Sequence, residues 1–416
     1  MSPISLRKHS RGVVAVLTAL LLPVLIGFAG LAVDAGYLYA QKRKFQTAAD
    51  GLALACANQM QRNALCSTTA ERALALDLPN LYGIPWTSVA TSTPAAYQIR
   101  VVVSESVPTF FMKALGISSV TVSASATAEM KPTCLYTLNS SDVNSFTTQT
   151  GSKNEMPGCG VYVNSSHATS ALNVGTGSYL SALPSDSVWV VGGVSGTGTV
   201  IPTPRVGVAP VVDPLAALPA PAVTAGCTYT NLIVATSQTL SPGNYCNGIR
   251  IMAPVTVNFS PGLYVLKGGG LKSFAGSKLF GTGVTFYNTA SNGYAYDGID
   301  LTAAGIPVLS KAEIDLAAPS SGSLKGVLFF QDRAISVGST ASIIGSGVGE
   351  YDLKLSGVLY FPTTALSIQS GTIKPNGVGS YTHIVAYNIS LFGENYFNYL
   401  PGMSWATVSG PVRLVE

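Results

Sequence analysis

The pattern of apolar and polar positions changes character twice along the chain. From Val13 to Val33 there are 21 consecutive residues without a charge. A helix needs ~20 apolar residues to cross a bilayer. Helix-compatible spacing continues past Asp34, Gly36 and Tyr37, so residues 13 to about 62 are predicted as one helix, with Pro23 a point where it can kink. A second helix is expected in the segment after Cys66, ending before Pro79. Ala96–Ser106 alternates as a strand, Val107–Gly116 reads as a short helix, and Val120–Met130 alternates again. Residues 34–130 are thus expected to form a small α+β module carried on the long helix.

From Lys131 onward helical periodicity is nearly absent. Short β-prone runs alternate with Gly, Ser, Asn and Pro turns. Two repeats stand out. Ser241-Pro242-Gly243-Asn244-Tyr245 recurs as Ser260-Pro261-Gly262-Leu263-Tyr264, and Gly326-Val327-Leu328-Phe329-Phe330 recurs as Gly357-Val358-Leu359-Tyr360-Phe361. Short strands with small polar corners are what a parallel β-helix needs, since each coil buries alternate Val, Ile, Leu and Phe against the next. Residues 131–416 are therefore predicted as a β-helix-like domain. The alternative is a β-sandwich, which favours hairpins and regular strand spacing. Six prolines between Pro202 and Pro221 mark a semi-rigid extended excursion from the coil pattern. The fold class is mainly β, with an N-terminal transmembrane helix.

Composition narrows the picture. Charged residues make up 10% of the chain, with 43 Gly and 24 Pro, yet apolar runs recur throughout, which excludes a disordered chain. The net charge of +4 is spread thinly outside Lys42–Lys44, so nucleic-acid binding has little support. Six cysteines fall as three sequence-adjacent pairs, none with C-x-x-C spacing. In an oxidising compartment the simplest pairing is Cys134–Cys159, Cys227–Cys246 and Cys56–Cys66, among fifteen combinations that the sequence leaves open. The last pair requires the long helix to end between its members, because ten residues of helix rise separate them by about 15 Å.

The order Gly12, Ala15, Ala19-Leu20, Pro23, Gly27, Gly30, Ala32-Val33-Asp34, Gly36 and then Gln46, Ala48-Ala49-Asp50 resembles the N-terminal signature of TadE/TadG-like proteins of the tight-adherence (Flp) pilus-assembly system. The resemblance is specific over about the first 57 residues. Looser likeness to TadG-like proteins covers most of 131–365, in segments such as CGVYVNSS and GVLFFQDR. It implies an inner-membrane protein with a cytoplasmic tail over 1–12, a span over 13–33 and its bulk in the periplasm or cell envelope. Pilus-assembly proteins and pilin-like subunits are the implied partners, and a homo-oligomer is left open. Basic residues flank the span on both sides (Arg7, Lys8 and Arg11 before it, Lys42, Arg43 and Lys44 after it), so charge alone does not orient it. A cleavable signal peptide is the competing reading, but its apolar core is shorter, ~7–15 residues.

Gly27, Ala29 and Gly30 are small residues that would let another membrane helix approach closely. Pilins are cut after a Gly and carry Glu at the fifth mature position. Here Gly12 is followed by Val13, and the fifth position is Leu17, which argues against processing as a main filament subunit. Asp34 is expected to be interfacial.

Catalytic chemistry has weak candidates. Asp297 with Asp300, Glu313 with Asp315, and Asp332 are carboxylates of the kind glycosidases pair across a bond. Each also reads as a turn cap or a solvent-facing edge. His9, His167 and His383 are far apart, there is no G-x-S-x-G elbow or P-loop, and no Asp-x-Ser-x-Ser metal motif. The expectation is a non-enzymatic scaffold or pilus-stabilising protein without cofactor or metal. A surface protein that binds or acts on carbohydrate is the alternative.

Overall fold

The computed structural model describes residues 10–60, 66, 68–94, 98–182, 187–252, 254–274, 276–291, 293–301, 312–345, 351–369, 372–373, 382–398 and 409–415. Most of the predicted tail, with Arg7, Lys8 and His9, lies outside them. The chain divides into two compact units, residues 1–130 with 412–416, and residues 131–411.

In the first unit, α1 (Ser10–Met60) is one helix, continuous through Pro23. Its outer half buries Phe45, Ala48, Ala49, Leu52, Ala53, Cys56 and Ala57. That spacing of three and four residues is the stripe an amphipathic helix turns to a core. The stripe shares a core with alternate residues of two strands, β2 (Gln98–Pro108) and β3 (Ser119–Thr137). The small side chains of Ala124, Ala126 and Ala128 keep this layer thin, while Phe45 and Leu52 each contribute roughly 1.5–3 kcal/mol by burial. α1 ends before Cys66, so Cys56 and Cys66 come within 5.7 Å at Cα and are joined as a disulfide.

Three local expectations differ from what is found. The helix predicted to stop before Pro79 is two helices. α2 (Thr69–Ala75) opens on a capping box, in which the Glu71 amide donates to Thr68 Oγ1 and the Thr68 amide donates to Glu71 Oε2. α3 (Leu78–Tyr82) carries the proline in its first turn, where a helix has no use for that N–H. An unpredicted strand, β1 (Val89–Ser92), pairs antiparallel with β2. The helix expected over 107–116 contracts to a single 3₁₀ turn, Met112–Leu115.

The second unit is a parallel β-helix, and the β-sandwich is excluded by the ladders between its described strands, which pair parallel from coil to coil. Its longest row of strands reads, in spatial order, Tyr229–Val234, Gly243–Ile251, Gly262–Lys267, Val284–Thr289, Val327–Gln331, Tyr351–Phe361, Thr382–Ala386, the end of β3, Gly160–Val163, Val188–Val190 and Arg205–Val206. This is not sequence order. The chain enters in the middle of the stack and coils outward to Val206. It then returns to the opposite end and coils back from Tyr229 until Thr382–Ala386 docks against β3.

The Ser-Pro-Gly-x-Tyr repeat has a physical reading in this stack. Pro242 lies over Gly262, where an added Cβ would meet the proline ring at 2.4 Å, and Pro261 lies over Gly283 in the same way at 3.3 Å. Gly262 also has φ 139°, a conformation that favours glycine. The tyrosines point inward. Tyr264 donates its hydroxyl to the carbonyls of Ser260 and Leu240, both at 2.8 Å, which satisfies a polar group in an apolar interior. Rings of Tyr229, Tyr245, Tyr264, Phe286, Phe329 and Phe361 stack through successive coils at 5.1–6.3 Å between centroids. Offset stacks of this kind add to burial by ~0.5–1.5 kcal/mol per pair.

A second row faces outward. Val265, Tyr287, Phe330, Tyr360, Val385, Tyr136, Tyr162 and Trp189 stand in register on consecutive strands. All are nevertheless buried, because the proline-rich excursion lies across them and adds Val208, Val211, Leu215 and Leu218 to the same cluster. The excursion runs as a strap from Val206 to Tyr229, so its end lies beyond the expected Pro221. Its residues meet the coils in order. Tyr162 Oη donates to the Ala209 carbonyl at 2.5 Å, and Asn164 makes a reciprocal pair with Val211 at 2.9 Å. Tyr360 Oη donates to Asp213, and Arg333 donates to the carbonyls of Leu215 and Leu218. Lys267 Nζ donates to the carbonyls of Thr224 and Gly226. The Cys227–Cys246 disulfide then fixes the strap's end to a coil, and Cys134–Cys159 joins neighbouring coils at the entry point.

Candidate functional site

The inner half of α1 is the part of the chain whose properties the fold does not use. Between Val14 and Phe28 nothing is buried, and large side chains such as Leu20 (69% exposed) and Phe28 (67%) face outward. Within the described residues this is the one helix long and apolar enough to cross a membrane.

Where this apolar stretch ends, one polar contact organises the helix surface. Asp34 is buried, and its carboxylate accepts from the amides of Phe110 (2.9 Å), Phe111 (2.9 Å) and Met112 (2.6 Å). Those amides open the 3₁₀ turn of the loop between β2 and β3 and have no partner of their own within it, so the carboxylate acts as a cap delivered from a distant helix. Asp34, at the outer edge of the apolar run, is thus enclosed by its own chain. Tyr37 meets Phe110 edge to face at 5.3 Å between centroids.

The three small residues proposed to pack other helices separate here. A Cβ on Gly30 would meet the Phe111 ring at 2.6 Å, so Gly30 is buried by its own chain and is not free for a partner. Gly27 has no heavy atom within 4 Å of that position, and Ala29 is exposed. The downstream signature residues also have structural roles. Ala48 and Ala49 are buried against the sheet, and Gln46 Nε2 donates to Asp50 (2.8 Å) and to the Ser125 carbonyl (3.0 Å).

The carboxylates considered for catalysis do not gather. Asp297 forms an ion pair with Lys272, the strand partner of Asp300. Glu313 is 3.5 Å from Lys278, and Asp315 stands in register with Lys354. Asp332 accepts from Thr289 Oγ1 at 2.6 Å and from the Ala334 amide. His167 Nδ1 accepts from the Ser170 amide within its own turn, and His383 is fully buried in the β-helix, where burial pushes its imidazole down to about 3. Among the described residues no three of His, Cys, Asp and Glu come together as metal ligands. One shallow polar cleft on the β-helix is lined by Asn231, Asn247, Arg250, Gly269, Lys272 and Asp297.

Asp34's capping role and the strap's clamp at Arg333 escaped the sequence. The only signal for the first was Asp34 standing in the outer edge of an otherwise uncharged run. No curated protein and no solved structure matches the chain. Residues 12–59, which comprise the apolar half of α1, Asp34 and the alanine stripe, match the model of the Tad family, described as Flp pilus-assembly TadE/G-like, so the chain carries a TadE/G-like segment with a pilus-assembly-related role.

Proposed function

We propose that this chain is a single-pass, membrane-anchored, non-enzymatic component of a Flp pilus assembly system, residing in the bacterial inner membrane with its bulk in the periplasm. The observation that carries this reading is the coincidence of the family match with one continuous helix. Over residues 12–59 that helix is apolar and uncovered in its first half and built into a folded module in its second. An uncovered run of this length has the length and apolarity of a membrane span. Three disulfides agree with an oxidising compartment outside the cytoplasm.

The β-helix then acts as a stiff scaffold rather than a catalyst. Its candidate carboxylates are individually engaged, and its outer aromatic row is covered by the strap. Gly27 and Ala29, on nearly opposite sides of α1, are the open small positions at which pilin-like helices would pack. The test is the number of pili per cell, counted by electron microscopy in an in-frame deletion and its complemented strain. Loss restored by complementation supports assembly, and normal pili overturn it. The carbohydrate reading draws on one feature, the cleft with Arg250 and Lys272 that would suit an acidic sugar. Binding of oligouronates to the intact protein, abolished in Arg250→Ala, would favour it instead.

A further inference from the structure

The loop between β2 and β3 exposes more apolar surface than a solvated turn has reason to. Phe110 is 60% exposed, Phe111 49%, Leu115 69% and Ile117 43%. These residues surround a 3₁₀ turn whose orientation is fixed by the Asp34 carboxylate on three successive amides. The same pin lays the Phe111 ring on Gly30. Phe111 and Leu115 therefore join Pro23, Gly27, Phe28 and Leu31 in one continuous apolar groove along α1.

The position of Gly30 decides what covers this surface. It lies three residues inside the outer end of the uncharged run at Val33, about 4.5 Å along the helix axis. A ring seated on Gly30 is thus held at the depth of the outer acyl boundary whenever α1 spans the bilayer. Interfacial segments bury their apolar faces ~5–10 Å into that zone, with aromatic residues at its edge and basic residues above it. Tyr37, Tyr39 and Phe110 supply the aromatic edge, and Lys113, Lys42, Arg43 and Lys44 the basic residues.

We propose that the Thr109–Ser118 loop is a second membrane contact, a wedge that inserts Phe110, Phe111 and Leu115 into the outer leaflet beside the anchor helix. It rests on the reading of α1 as a membrane span. A lone helix is free to slide and to rotate about its axis. A helix with a side wedge pinned through Asp34 has one depth, and Gly27, on the same side of α1 as Gly30, is held in a fixed orientation relative to the wedge.

The described cysteines are all disulfide-bonded, so an introduced cysteine supplies a selective thiol. Full-length Leu115→Cys, Val24→Cys and Lys42→Cys would each carry an environment-sensitive fluorophore. They would be reconstituted in phosphatidylethanolamine–phosphatidylglycerol vesicles containing lipids spin-labelled near the top of the acyl chain or near its middle. The wedge requires the Leu115 label to be quenched several-fold more by shallow spin labels than the Lys42 label is, and to be protected from aqueous iodide. A Leu115 label as open to iodide as Lys42, with Val24 quenched by lipid, overturns the wedge and leaves the anchor standing. Protection from both quenchers overturns it in favour of a second copy covering the loop. A Val24 label that lipid does not quench removes the membrane reading and the wedge with it.

Discussion

Arg333 lays its guanidinium over the ring of Tyr360, 5.0 Å from the centroid, and donates from Nε to the same residue's hydroxyl at 2.7 Å. The Tyr360 hydroxyl in turn donates to Asp213 in the strap, and the two remaining guanidinium nitrogens reach the strap carbonyls of Leu215 and Leu218. A planar fork with several fixed donors suits this bridge in a way a lysine would not. Arg333→Met keeps the stem and removes every polar tie. It is expected to cost about 1.5–3 kcal/mol, the range for hydrogen bonds to charged groups. Denaturant titration of the full chain in detergent measures the loss. Limited proteolysis should cut between Ala209 and Pro221 in the variant under conditions where the parent is intact. Equal protease resistance would mean that the outer aromatic row holds the strap unaided.

Tyr264 tests the reading of the inner ladder. Its ring packs against Tyr245 and Phe286, and its hydroxyl ties the Ser260 and Leu240 carbonyls. Tyr264→Phe keeps the ring and removes the tie, so a loss of about 1 kcal/mol is expected. Tyr264→Ala also opens a cavity and should cost ~3–5 kcal/mol. If the two variants were equally destabilised, the hydroxyl rather than the ring stack would dominate this corner.

What the sequence showed and what it hid divide along contact range. The span, the alanine stripe after it and the Ser-Pro-Gly-x-Tyr corners were legible because each depends on neighbours within a turn or a coil. Sequence-adjacent cysteines pair, Cys56 with Cys66 past the end of α1, Cys134 with Cys159 on neighbouring coils and Cys227 at the strap's end with Cys246 on a coil. The order of the coils was not legible. Docking of Thr382–Ala386 on β3 joins segments about 250 residues apart, and no local pattern records it. The proline run was visible as an excursion, but its role as a strap depends on Tyr162, Tyr360 and Arg333 arriving on one face. The capping role of Asp34 was hidden for the same reason, since its partners are 76 to 78 residues away.

Asp34 makes the next prediction. Asp34→Ala leaves the amides of Phe110, Phe111 and Met112 without their acceptor, and the 3₁₀ turn should loosen while the β2–β3 ladder persists. Hydrogen exchange measured residue by residue should rise at those three amides and remain unchanged at Val101 and Val103. Asp34→Asn retains one acceptor oxygen and should give an intermediate result. Exchange rising along all of β2 would show instead that the pin supports the sheet.

The last prediction concerns acid. His383 sits fully buried on a strand whose partner at that position is Val358, and burial lowers its imidazole from 6.5 to about 3. Between those values the unfolded chain holds a proton on this residue and the folded chain does not, so falling pH favours unfolding. The stability this histidine permits is therefore complete above about pH 6.5 and drains as pH drops toward 3, at up to about 1.4 kcal/mol per pH unit. Carboxylates elsewhere add their own acid dependence, so the informative quantity is a difference. His383→Leu removes, of the chain's three histidines, the one that the fold holds fully buried. Denaturant midpoints between about pH 6.5 and 5 should fall in the parent and stay level in the variant. Parallel slopes would show that the imidazole takes up its proton in the folded protein, which would require a water path or an anionic neighbour reaching the strand.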